Sequence, residues 1–199
     1  MSAYNKKDGF YRRAKKEGYR SRAVYKLKQI DEKFNIFQPD LTVLDLGAAP
    51  GGWSQYAVEM VGPGNVMAVD LKGMRDVEGV EQYRADVTDE AAMRRILIIA
   101  DEIDVVISDM APDISGNYSL DQARSVYLAR SGLDVCRWVL KEGGSFVVKV
   151  FQGEDFNDLL EEIRGCFRFV KCHSPEASRD SSSEMYVIGK GFLGYGQKD

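Results

Sequence analysis

The strongest constraint on the fold is the junction between the apolar run Leu41-Thr42-Val43-Leu44 and the turn Gly47-Ala48-Ala49-Pro50-Gly51-Gly52, with Asp45-Leu46 between them. A strand that ends in a glycine-rich turn and runs into a helix near Trp53 lets the main chain come close to a ligand, because a Cβ there would hold the ligand off. Apolar and amphipathic segments then alternate. Strands are expected near 41–46, 65–70, 80–85, 103–109, 144–150, 168–173 and 184–190, and helices near 53–61, 88–100, 119–140 and 155–166. That alternation implies an α/β fold: a Rossmann-like, mostly parallel seven-stranded sheet with helices on both faces. Ser21 is positioned to cap a further helix running to about Phe34, with Ala23, Val24, Leu27, Ile30 and Phe34 as its buried stripe.

A chain of 199 residues can fill one complete core, so a single domain is expected. Within it, 1–36 is expected as a basic extension and helix, 37–192 as a Rossmann-like core and 193–199 as a polar tail. No apolar run approaches the ~20 residues that span a bilayer, and the polar start, Met1 to Lys7, lacks the apolar region of a secretory signal. Cys136, Cys166 and Cys172 have no C-x-x-C spacing, and His173 is the only histidine. This inventory suits a reducing cytoplasm and gives no motif for a bound metal. A monomer is expected.

Charge is unevenly distributed. Residues 1–28 hold ten Lys/Arg against only Asp8 and Glu17, although the whole chain carries −4. Tyr4, Phe10, Tyr11, Tyr19 and Tyr25 lie among those cations. Cations for phosphates beside aromatic rings for unpaired bases make an RNA-binding edge; a merely solvated basic end is the plainer alternative.

In a doubly wound sheet, ligands bind beyond the carboxyl ends of the strands, and polar residues recur at those ends here. Asp70 follows Val66-Met67-Ala68-Val69, at the distance from the glycine turn where a carboxylate meets ribose hydroxyls. Asp86 follows the third strand and could accept from an adenine amino group. Asp109 and Lys149 end two further strands. A dinucleotide fingerprint would need glycine at position 49, which is Ala. That substitution disfavours a pyrophosphate, and with it a nicotinamide dehydrogenase. S-Adenosylmethionine (AdoMet) has no pyrophosphate, and fits. Lys149 sits among Phe146, Val147, Val148, Val150 and Phe151, an unusual setting for a lysine. Either it snorkels to water or it pairs with Asp109 and with Glu184.

These blocks together resemble the FtsJ/RrmJ (RlmE) family of AdoMet-dependent ribosomal RNA ribose 2′-O-methyltransferases. The similarity rests on Arg20-Ser21-Arg22-Ala23 with Tyr25-Lys26-Leu27, on Asp45 through Gln55, on Ser108-Asp109-Met110-Ala111-Pro112, on Gly144 through Gly153, and on Ser178-Arg179 with Ser183-Glu184-Met185-Tyr186. The resemblance implies a catalytic tetrad of Lys26, Asp109, Lys149 and Glu184, and AdoMet contacts at Gly51, Trp53, Asp70, Asp86 and Asp109. It names Lys149 as the base for a ribose 2′-hydroxyl, although a charged Lys149 that orients the hydroxyl would also serve. By the same resemblance Lys26 positions the ribose, Glu184 holds Lys149, and Asp109 joins cofactor and tetrad. The implied substrate is RNA, foremost a uridine of large-subunit ribosomal RNA, either free or in the ribosomal subunit. The start of the chain also resembles archaeal and eukaryotic members, some of which methylate tRNA, so tRNA is the alternative. A non-catalytic RNA-binding protein on the same fold would be expected to lack part of the tetrad, and all four members are present.

Overall fold

The computed structural model describes residues 3–98, 102–178 and 183–194, with the side chains of 3–8 excepted. Its elements are α1 (Ala3–Glu17), α2 (Val24–Phe34), β1 (Val43–Leu46), α3 (Gly52–Val61), β2 (Val66–Asp70), β3 (Val80–Arg84) and α4 (Glu90–Leu97). They continue as β4 (Ile103–Ser108), α5 (Tyr118–Val139), β5 (Leu140–Phe151), α6 (Phe156–Arg164), β6 (Phe167–His173) and β7 (Glu184–Phe192). The seven strands form one sheet in the order β3-β2-β1-β4-β5-β7-β6. Neighbours from β3 to β5 are parallel, and β7 lies antiparallel between β5 and β6. The strand order reverses between β1 and β4, which opens a crevice beyond their carboxyl ends.

Both faces of the central strands are covered, which explains why β1 is buried at every position. One face packs Leu44, Leu46, Val106, Phe146 and Val148 with residues of α4, α5 and α6; the other packs Val43, Val105, Ile107, Val147 and Tyr186 with residues of α2 and α3. Alternation along β5 and β7 therefore selects the side chains that meet α2. Lys149 lies opposite Tyr186, and Phe151 opposite Glu184. Side chains two apart share a face, so Lys149, Tyr186 and Glu184 all look towards α2.

Several boundaries depart from expectation. α1 was not foreseen as a helix: it contains Gly9 and its composition is strongly polar, but Ala14 is buried and the Phe10 ring meets Tyr25 at 5.3 Å. Ser21 does not cap α2; its hydroxyl accepts from the Ala23 N–H (3.0 Å) and the helix begins at Val24. The fifth strand starts earlier than expected from the run at 144–150. α5 ends at Val139 and β5 begins at once, then loops out residues 141–144 before it rejoins β4 in register. The expected helix end near 100, Arg179 and the tail residues 195–199 lie outside the described residues.

The aromatic half of the basic edge also needs correcting. The Tyr25 hydroxyl donates to Glu17 and its ring is buried, and the Tyr19 hydroxyl donates to Glu59 at 2.5 Å. Phe10 packs on the same cluster. These rings build the junction of α1 and α2 and are not presented to bases; Tyr11 is the exposed one among those whose side chains are described.

Candidate active site

At the strand switch lies an open cavity of about 500 Å³. Gly47 and Ala49 from the first turn line it, with Asp70 after β2, Asp86 after β3 and Asp109 after β4. Val87, Met110 and Leu128 supply apolar wall. Both outer carboxylates are fixed by local bonds. Asp70 accepts from the N–H groups of Ala49 (2.9 Å) and Lys72 (2.6 Å), and Asp86 from the N–H (2.9 Å) and hydroxyl (2.7 Å) of Thr88. Preset carboxylates on an apolar-walled cleft of this size suit a small polar nucleoside.

Gly51 and Trp53 do not line the cavity. The Trp53 ring is buried against Tyr186 (5.8 Å between centroids), and its indole N–H donates to the Ala23 carbonyl at 2.9 Å. Trp53 can therefore meet a ligand through its main-chain N–H, one of the first-turn donors of α3 that have no helical acceptor. Gly51 adopts φ +104°, and a Cβ on it would press on Val77 and Arg20. Its glycine is required by the packing behind the turn as much as by any ligand. Gly47 differs: at φ +72° it faces the cavity, and a Cβ there would collide with Met110.

Beyond Asp109 the four tetrad positions come together as two ion pairs. Lys149 Nζ lies 3.0 Å from Asp109 Oδ1 and also donates to the Asp109 carbonyl at 2.5 Å. Lys26 Nζ lies 2.6 Å from Glu184 Oε1. The expected hold of Glu184 on Lys149 is thus replaced by a hold on Lys26, because α2 brings Lys26 over the face where Glu184 stands. The Ser178 hydroxyl donates to the same Glu184 oxygen at 2.7 Å. Tyr186 joins the pairs: its hydroxyl donates to Asp109 Oδ1 at 2.7 Å, and Lys26 Nζ lies 5.7 Å from its ring centre. Burial and the neighbouring carboxylates of Asp109 and Glu184 push the Tyr186 phenol well above its ordinary value, so it stays a donor. Sequence reasoning passed over Tyr186; its period-two spacing from Glu184 was the available signal.

The chain matches the family model of the FtsJ-like methyltransferases over residues 19–192. It belongs to the FtsJ-like methyltransferase family. Among its relatives is the ribosomal RNA large subunit methyltransferase E of Halobacterium salinarum, 51% identical over 194 residues that cover 95% of this chain and 75% of that protein. The protein of the same name from Methanosarcina mazei is 50% identical over 193 residues, covering 96% and 72%. A crystal structure described as a ribosomal RNA methyltransferase from Plasmodium falciparum superposes with a TM-score of 0.78 at 28% identity, over 88% of this chain and all of that one.

Two features of this FtsJ-like site were illegible in the sequence. Asp45 is wholly buried on β1 and accepts from the Ser54 hydroxyl at 2.6 Å, while its other oxygen has no partner among the described residues. Burial, against that hydrogen bond and with Asp109 and Asp70 nearby, pushes its carboxyl up to about 7. Arg20 clasps the back of the turn: its guanidinium donates to the carbonyls of Pro50 (3.3 Å), Arg75 (2.5 Å) and Asp76 (2.5 Å).

Proposed function

We propose that the protein transfers a methyl group from AdoMet to a ribose 2′-oxygen of RNA, with large-subunit ribosomal RNA as the substrate. The observation that carries this reading is the buried Lys149–Asp109 pair at the rim of a nucleoside-sized cavity. AdoMet, when bound, supplies an electrophilic methyl on a sulfonium. Asp70 suits its ribose hydroxyls, Asp86 its adenine amino group, and the free N–H groups at the start of α3 its carboxylate.

A hydroxyl is a weak nucleophile, so its proton must leave as the new bond forms. As a neutral amine, Lys149 has two N–H donors, and both find acceptors on Asp109. The lone pair is left to take the hydroxyl proton. The ammonium so formed already has the Asp109 carboxylate 3.0 Å away. Lys26, neutralised by Glu184, positions the ribose, and Tyr186 keeps Asp109 turned towards Lys149. The exposed cations of α1, among them Arg12, Lys15 and Lys16, hold RNA phosphates.

The names of the archaeal relatives favour ribosomal RNA over tRNA. The protein works as a cytoplasmic monomer in this reading; among the described residues no helix is long and apolar enough to cross a membrane. The test is incubation with labelled AdoMet and separate pools of ribosomal RNA, ribosomal subunits and tRNA, followed by mapping of the modified nucleotide. Label in tRNA alone would overturn the substrate, and label in none of the pools would overturn the activity.

A further inference from the structure

After Asp113 the segment between β4 and α5 leaves the cavity wall and stays exposed as far as Tyr118. Ile114 is 68% exposed and Tyr118 63%. On α5, Leu120, Arg124 and Tyr127 recur at helical spacing on the solvent side, with Leu120 41% and Tyr127 58% exposed. A helix that covers a sheet ordinarily presents a polar outer face. Four of the nine large exposed hydrophobic side chains among the described residues thus fall between positions 114 and 127. Leu120 and Tyr127 share the outer face of α5, whereas Tyr118 points about half a turn round the helix from them and closes the exposed loop that begins at Ile114.

The support beneath it is rigid. The buried carboxylate of Asp121 accepts from the Ser115 N–H (3.0 Å), the Ser115 hydroxyl (2.8 Å) and the Gly116 N–H (3.3 Å). Asn117 caps α5 through the Leu120 N–H. The first turns of α5 are also bonded to the end of β5. Gln122 donates to the Gln152 carbonyl, Ser125 accepts from the Phe151 N–H at 2.9 Å, and a Cβ on Gly153 would run into Gln122. Tyr118 therefore stands at the end of the loop that leaves Asp109, on a helix fastened just past Lys149.

We propose that Ile114 and Tyr118 are a stacking platform for an RNA base next to the nucleotide being methylated. This rests on the RNA reading above. An exposed ring five residues after Asp113, which lines the cavity, matches the π-face of an unpaired base beside the target nucleotide. Such a platform holds the neighbouring base while the target ribose reaches Lys149, so it acts on positioning and not on the chemical step.

The test uses the full chain and a single-stranded oligonucleotide spanning the mapped nucleotide, with 2-aminopurine at each flanking position in turn. Base–aromatic stacking contributes about 1–3 kcal/mol per base, so Tyr118→Ala should raise KM for RNA roughly 5- to 140-fold. It should leave kcat and calorimetric AdoMet affinity close to wild type and abolish the quenching of one 2-aminopurine position. Tyr118→Phe, which keeps the ring, should restore both readouts, and Ile114→Ala should give a smaller loss of the same kind. Unchanged KM and quenching in Tyr118→Ala, or a Phe variant as impaired as the Ala variant, would overturn the platform while the methylation reading stands. A defect on assembled subunits alone, absent on naked RNA, would assign the surface to a protein and equally overturn it. A wild-type protein inactive on every RNA pool would remove the reading on which the platform depends.

Discussion

The two halves of the site are built by different means. The cavity that suits AdoMet is lined by turns after β1, β2, β3 and β4, and its outer carboxylates, Asp70 and Asp86, are fixed by N–H groups two residues away or on the adjoining turn. The tetrad is built from side chains on α2, β5 and β7 together with Asp109, and every bond in it joins distant parts of the chain. Local bonding makes the first half a set of nearly independent contacts. The second half is a network, in which loss of one member leaves a buried partner unmatched.

Substitutions should separate the halves cleanly. The largest effect is expected for Lys149→Ala, which removes the proposed proton acceptor: methyl transfer should fall by at least ~10²–10⁴-fold, with AdoMet affinity by calorimetry nearly unchanged. Near wild-type turnover by a folded variant would leave Lys149 a structural residue. Asp70→Ala should do the reverse and weaken AdoMet binding by about 1.5–3 kcal/mol, the scale of a hydrogen bond to a charged group, while saturating cofactor recovers most of the rate. Full affinity in that variant would take Asp70 out of the cavity's function.

Asp45 lies beneath both halves and is read through stability. Its carboxyl is raised from 3.8 to about 7 in the folded chain, so between those values the native state holds a proton that the unfolded state has lost. This contribution is fully present below the unfolded value and is lost as pH rises towards 7, with a slope approaching ~1.4 kcal/mol per pH unit. Asp45→Asn keeps an acceptor for Ser54 and should flatten that part of a denaturation-against-pH curve. A curve of unchanged slope would show that Asp45 does not hold the proton. The smallest effect per residue is expected on α1. Changing Arg12, Lys15 and Lys16 to Ala should reduce the salt dependence of RNA binding by roughly 0.7–0.9 per lost phosphate contact, with no change in AdoMet affinity. Arg13 is left in place so that its contact with Glu17 at 2.7 Å, beside the Tyr25 hydroxyl, is kept. An unaltered slope would move the RNA surface away from α1.

The same division governs what the sequence made legible. Strand ends bearing Asp70, Asp86, Asp109 and Lys149 could be located from local apolar runs, because each polar residue lies within two residues of the end of its own strand. The seven-stranded sheet followed from the same runs. Which lysine meets which carboxylate could not be read, since Lys26 and Glu184 are joined only by the packing of α2 on β7. The fate of Tyr19 and Tyr25 was hidden for a similar reason: a tyrosine among cations looks the same in sequence whether its ring faces a base or a helix. α1 escaped notice because its stability comes from Ala14 and Phe10 packing on α2 and not from its own composition.

The embedding of α2 bears on where this chain can be cut. A boundary at residue 36, drawn where basic composition gives way to the first strand, would seem to detach an accessory arm. It would in fact take away Leu27 and Ile30 from the core, the carbonyl that receives the Trp53 indole, and Asp31, whose carboxylate accepts from Ile36, Phe37 and Tyr56. The Arg20 clasp and the Gln55–Gly18 bond extend the dependence back to Gly18. A chain begun at Gly18 would still lose the buried Ala14 and the Glu17 acceptor of Tyr25, so the proposed RNA arm is better removed by substituting its exposed cations, and a chain that begins at the first strand has been deprived of part of its foundation.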